Sequence, residues 1–300
     1  MELESSEKLR GVFAPMATPF RENEDLDKEA LIHNLALYES TSLKGYLVLG
    51  SNGETKSLED TEKAAILETV FENTSEHLTV IVGVMYEAHR LATRAIKQIA
   101  EFGADFVLVQ SPSYFKKLMT DDTLFRYFSD LADTSPIPLL VYNSPGFNGI
   151  TLSFDLLAAL SEHDNIVGMK DSTPGCDLEV MKLNSENFHV MAGSVAKLSD
   201  FVQQGSIGGT VSLANYAPVK AVELYKCLIN HGSTACVDLN RKIVEMNRSV
   251  AGRFGVPGVK AAMNLLGFKG GIPRRPLLPL QADQIKSVKS TLIEAGVLHK

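Results

Sequence analysis

Apolar residues in this chain follow two alternating patterns. Short, nearly continuous apolar runs recur about every 25 to 40 residues, and between them lie longer stretches with apolar positions at helical spacing. The runs predict eight strands, at 12–17, 45–49, 79–84, 106–110, 137–143, 166–170, 188–192 and 207–213. The stretches between and after them predict helices at 28–39, 58–72, 91–102, 124–133, 154–160, 178–184, 196–203 and 219–230. In the second of these, Glu62, Ala65, Ile66 and Thr69 show the mixed-face spacing of a helix. Ser57 with Asp60, Thr120 with Thr123, and Ser153 ahead of an apolar run read as helix N-caps.

Strands apolar on both faces belong in a parallel sheet covered by helices. Eight βα units can close into a barrel without a sheet edge, whereas an open doubly wound sheet leaves two. The expected fold is therefore α/β, a (β/α)8 TIM barrel over residues 1–232. Residues 233–300 predict helices at 234–250, 259–266 and 283–295 around the loop GGIPRRPLLP. They read as a C-terminal helical extension packed on the barrel within a single structural domain.

Composition narrows the class. At 300 residues, 45% hydrophobic and 22% charged, the chain has the apolar material for a large core and is neither disordered nor collagen-like. A net charge of −7 leaves no electrostatic footprint for nucleic acid. The three cysteines, Cys176, Cys227 and Cys236, are odd in number and lack metal-ligand spacing, so they read as free thiols in a reducing compartment. The charged start MELESSEKLR and the lack of any long apolar run argue against a secretory signal or a membrane span, and a cytoplasmic protein is expected.

In a barrel the chemistry sits where apolar strands give way to polar residues at their C-terminal ends. Lys170 ends the run Ile166, Val167, Gly168, Met169, with Gly168 two residues back leaving space beside its stem. Either it has emerged into solvent, or it sits in an apolar pocket that favours the neutral amine able to attack a ketone. Tyr142 ends the strand Leu139, Leu140, Val141, where its phenol could pass a proton or merely pack. Ser51 and Asn52, between Gly50 and Gly53, offer a hydroxyl and backbone N–H groups to a carboxylate, or form a plain tight turn. GSNGE matches neither nucleotide-binding glycine fingerprint.

Taken in order, GVFAPMATPF, GSNGE, SPSYF, VYNSPG, IVGMKDS, AGS and GGTVSLAN resemble the dihydrodipicolinate synthase and N-acetylneuraminate lyase family across essentially the whole chain. The resemblance implies a class I, lysine-dependent aldolase acting on pyruvate or another 2-oxo acid and an aldehyde, with neither metal nor organic cofactor. It implies an imine between Lys170 and the substrate, a proton relay at Tyr142, and carboxylate binding at Ser51, Asn52 and Gly53. Tyr114 falls where a neighbouring subunit's tyrosine reaches the relay, and family members commonly form homotetramers as dimers of dimers. Ser194 and Thr210, at the mouths of strands seven and eight, would touch the partner substrate or serve the fold. Glu54 either joins the site or completes the turn.

Dihydrodipicolinate synthases usually carry an arginine shortly after the strand-five tyrosine, suited to the carboxylate of aspartate semialdehyde. Here Phe147 takes that place. With GSNGE, GMKDS, AGS and RFGVPGVKAAMNLLGFKGGIPRRPL, the chain looks closer to 4-hydroxy-2-oxoglutarate aldolases and related 2-oxo-3-deoxy acid aldolases. Retro-aldol cleavage to pyruvate is the expected reaction, with dihydrodipicolinate synthase and a non-catalytic 2-oxo acid sensor as alternatives. Arg274 and Arg275, in a proline-rich loop, are expected in solvent.

Overall fold

In the computed structural model, which describes residues 2–175 and 178–299, eight strands pair in sequence order and close into a parallel barrel. They are β1 (Gly11–Pro15), β2 (Gly45–Val48), β3 (Thr79–Val84), β4 (Phe106–Gln110), β5 (Leu139–Asn143), β6 (Ile166–Asp171), β7 (His189–Ala192) and β8 (Gly208–Thr210). Nearly every strand residue is buried, as a parallel sheet covered on both faces requires. The helices are α1 (Glu2–Leu9), α2 (Lys28–Glu39), α3 (Asp60–Glu72), α4 (His89–Glu101), α5 (Asp121–Thr134), α6 (Pro145–Asn148), α7 (Phe154–Ser161), α8 (Val195–Gln203), α9 (Pro218–Ala235), α10 (Val237–Asn247), α11 (Arg253–Leu265) and α12 (Ala282–Glu294).

By Cα packing the chain divides into two compact units, Met1–Gly11 with Thr79–Thr210, and Val12–Leu78 with Val211–Lys300. In the first, β3 to β8 pair in parallel and α5 packs against α4 and α7. Its α1 lacks an apolar stripe and escaped the sequence pattern. Buried Leu9, the Lys8–Asp105 ion pair at 2.9 Å and a hydrogen bond from Thr79 to the Lys8 carbonyl hold it. In the second unit, α2 packs on α3, α9 on α10 and α11 on α12. The buried Tyr38 donates from its hydroxyl to the Asn215 carbonyl at 2.8 Å and stacks on Phe268.

Several expected boundaries move for local reasons. The eighth strand stops at Thr210, and Ser212–Asn215 forms a 3-10 turn instead. The Asn215 side chain accepts from the Ala17 N–H and donates to the Pro15 carbonyl, which holds this segment as a turn beside the end of β1. The helix expected at 178–184 is only a 3-10 turn, Glu179–Leu183. Thr120 and Ser153 cap α5 and α7 through Thr123 and Leu156 N–H groups. Ser57, however, lies in a 3-10 turn, and α3 is capped by Glu59 paired reciprocally with Glu62.

The free-thiol reading fails for two cysteines. Cys227 and Cys236 form a disulfide, their Cα atoms 6.1 Å apart, brought together by the backbone break at Gly232 (φ 77°) near the end of α9. Spacing alone did not reveal the pair, because nine residues of uninterrupted helix would have held these positions apart. The inference of a reducing compartment loses this support. Cys176 lies outside the described residues.

Gly168 has a different reason from the one its sequence position suggested. A Cβ there would lie 2.3 Å from the His189 carbonyl oxygen on β7, so the glycine permits strand approach rather than making room for the Lys170 stem. Gly168→Ala is therefore expected to lower the unfolding free energy by about 3 kcal/mol in urea titrations, the upper end of overpacking costs. Gly146→Ala, with nothing within 4 Å of its Cβ, should stay within about 0.5 kcal/mol of the parent.

Candidate functional site

Parallel pairing of β5 and β6 places Tyr142 opposite Lys170 and Asn143 opposite Asp171. The Lys170 Nζ sits 4.5 Å from the centroid of the Tyr142 ring. Lys170 is 6% exposed and Tyr142 2%, so the lysine has not emerged into solvent at the strand end. Among the described residues Lys170 makes no ion pair.

One residue along each strand, on the opposite face, a second buried network forms. The Lys197 Nζ on α8 lies 2.5 Å from Asp171 Oδ2 and donates to Thr173 Oγ1 at 3.0 Å. Asn143 donates to Asp171 Oδ1 at 3.1 Å, and its own Oδ1 accepts from the Leu152 N–H. Asp171 is fully buried, so its charge needs these partners. The cross-strand bond fixes the register that sets Tyr142 against Lys170. Asp171 follows the expected lysine directly in sequence, yet nothing in the chain marked Lys197 as its counter-charge.

Loops after β4 and β5 are tied together by hydrogen bonds from Gln110 to Ser144 at 2.8 Å and from Asn148 to Ser111 at 2.9 Å. After β3, Glu87 accepts from the Ser113 and Tyr114 N–H groups and shapes the loop that carries Tyr114. The Tyr114 ring is 81% exposed and meets Phe115 edge-on, outside the Lys170 and Tyr142 pair. Phe147, on α6, is also exposed. Ser194 is half-buried at the start of α8, and Thr210 is buried at the end of β8.

In the second unit, Ser51, Asn52 and Gly53 form the turn after β2, closed by bonds from the Gly53 N–H to the Gly50 carbonyl and from Glu54 to Ser51. Asn52 donates to Ser212 Oγ at 2.9 Å, and Thr18 donates to the Gly53 carbonyl at 2.8 Å. Glu54 is buried against Lys260 of α11. The sequence reading missed Lys260, although a lysine beside the apolar Val259, Ala262 and Met263 on one helix is a visible signal. Arg274 also departs from expectation. It forms a two-pronged bond to Glu62 at 2.7 and 2.6 Å with its side chain mostly covered, and this holds the Glu62 carboxyl below its usual range. Arg275 stays in solvent, as expected, paired with Glu24.

Among the described residues no group of three or more His, Cys, Asp and Glu could hold a metal, and no helix is long and apolar enough to cross a membrane. The model of the dihydrodipicolinate synthetase family matches residues 8–295. The chain belongs to that family. Members are class I aldolases and lyases that use a lysine Schiff base with pyruvate and no metal or other cofactor. A probable mitochondrial 4-hydroxy-2-oxoglutarate aldolase of Emericella nidulans is 31% identical, over 97% of this chain and 96% of its own length. A 4-hydroxy-tetrahydrodipicolinate synthase of Bartonella bacilliformis is 26% identical over 97% and 100%. The crystal structure of dihydrodipicolinate synthase from Aquifex aeolicus superposes with a TM-score of 0.89 at 25% identity, covering 97% and 99%.

The Asp171–Lys197 pair is testable by a double-mutant cycle in urea. Lys197→Met strands a buried carboxylate and is expected to cost about 3–5 kcal/mol, whereas Asp171→Asn with Lys197→Met recovers most of that loss. Additive costs would show that the two charges do not depend on each other.

Proposed function

We propose that this family member cleaves 4-hydroxy-2-oxoglutarate or a related 2-oxo-3-deoxy acid to pyruvate and an aldehyde through an imine on Lys170. The observation that carries the reading is the pairing of buried lysines. Lys197 has Asp171 and Lys260 has Glu54, while Lys170 has no carboxylate among the described residues and faces a tyrosine ring. No carboxylate among these residues competes for the Lys170 Nζ, which leaves it open to a carbonyl carbon.

The amine adds to the C2 carbonyl, and loss of water gives an iminium. Deprotonation of the C4 hydroxyl then breaks the C3–C4 bond, releases the aldehyde and leaves its electron pair in an enamine. Protonation at C3 and hydrolysis return pyruvate and the amine. Tyr142 is the proton relay for these transfers. Ser51 and Asn52 bind the substrate carboxylate by hydroxyl and N–H groups in the turn that the Gly53 N–H closes onto Gly50, and Ser194 and Thr210 contact the departing aldehyde. Tyr114 serves a neighbouring copy's relay within a homotetramer built from dimers, a role its exposure permits.

Phe147 argues against dihydrodipicolinate synthesis, since a phenyl ring cannot replace the arginine that synthases usually place there for the aspartate semialdehyde carboxylate. Glyoxylate, whose carboxylate adjoins the aldehyde carbon, presents its charge at a different place. The Emericella relative points the same way. With pyruvate and borohydride, peptide mapping is expected to find a reduced adduct on Lys170 alone. Lys170→Ala should abolish turnover, and Tyr142→Phe should lower kcat by about 10²–10⁴-fold. 4-Hydroxy-2-oxoglutarate should yield glyoxylate. Consumption of aspartate semialdehyde in its place would make the chain a dihydrodipicolinate synthase, and bound pyruvate without any adduct would make it a sensor.

A further inference from the structure

The turn at residues 50–53 is bracketed by two non-glycine residues in the left-handed region, Leu49 at φ 55° and Glu54 at φ 54°. Such backbone persists only where the surroundings over-determine it. For Glu54 they do. Its Oε1 lies 2.6 Å from the Lys260 Nζ, as an ion pair outside hydrogen-bond geometry, and its Oε2 accepts the Arg274 N–H at 2.9 Å. Lys260 in turn donates to the Ile272 carbonyl at 2.7 Å. Both Lys260 and Arg274 lie over the Phe20 ring, the Lys260 Nζ 4.4 Å and the Arg274 guanidinium carbon 4.1 Å from its centroid. Arg274 is itself anchored by Glu62 and by the Ser57 and Glu24 carbonyls.

A buried ion pair is weak evidence for stability, because desolvation offsets most of its attraction. What an apolar pair could not supply is a directed hold on the carboxylate that ends the turn. We infer that Glu54 and Lys260 are positioning residues, which hold the 51–53 turn in the conformation that binds the substrate carboxylate, and through which the C-terminal segment 260–274 governs affinity for pyruvate. This rests on the carboxylate-binding role proposed for the turn. The charged groups facing Lys260 are Glu54 and Arg274, the latter held by Glu62 and Glu24. Burial brings the Lys260 ammonium down to about 8 against the opposing pull of Glu54, so the pair opens as the pH rises past that value.

The test is the pyruvate concentration that half-saturates borohydride trapping on Lys170, which needs no second substrate. Loss of uniform binding raises this value and leaves the plateau. Glu54→Gln and Lys260→Met are expected to raise half-saturation about tenfold while the plateau adduct changes less than twofold. In the parent protein half-saturation should climb above pH 8 more steeply than in Lys260→Met. Unchanged half-saturation in a folded variant, or identical pH profiles in parent and Lys260→Met, would overturn the positioning role while the Lys170 adduct stands. If neither variant folds, the test rests on the parent, where a half-saturation flat from pH 7 to 9 overturns the proposal. Failure of the parent to form any adduct would instead remove the proposed function beneath it.

Discussion

The register between β5 and β6 is the constraint on which the proposed chemistry depends. A one-residue slip in a strand exchanges its two faces, so the same pairing that sets Tyr142 against Lys170 must also set Asn143 against Asp171. The two pairs lie on opposite faces of the sheet and do different work. One presents an amine and a phenol to each other, while the other is a hydrogen bond that resists slippage, anchored by Lys197 and Thr173.

Buried charge is handled by the same logic throughout. Lys170, Lys197 and Lys260 are all nearly inaccessible, and two of them bring a carboxylate into the core with them. Each pair also spans sequence-distant elements, β6 with α8 and the turn after β2 with α11. Charge satisfaction and the placement of functional loops are thus one structural event. The exception is Lys170, the lysine proposed as the nucleophile, which faces the Tyr142 ring instead of a carboxylate.

Membership of the dihydrodipicolinate synthetase family fixes the reaction type but not the aldehyde. Relatives named as aldolase and as synthase match over nearly the same span. Glyoxylate and aspartate semialdehyde both carry a carboxylate, at different distances from the aldehyde carbon, and the loop after β5 here offers Phe147 where synthases usually carry an arginine. Specificity in this architecture lies in loop residues that a conserved barrel leaves free to vary.

Much of this protein was legible in the chain itself. Apolar runs alternating with helical periodicity are local signals of burial, and they located all eight strands, two of them to the residue, as well as Lys170 and Tyr142 at strand ends. Expectations failed where a partner is distant in sequence. The eighth strand stops at Thr210, ahead of a turn that Asn215 ties to β1, and Cys227 meets Cys236 because Gly232 breaks the helix between them. Arg274 is covered because Glu62 lies across from it. Lys197 and Lys260 read as ordinary helix residues until Asp171 and Glu54 arrive beside them. Local pattern reports how much of a residue is buried, whereas its counter-charge is decided only when the chain closes on itself, because a buried charge must find its partner wherever the fold delivers one.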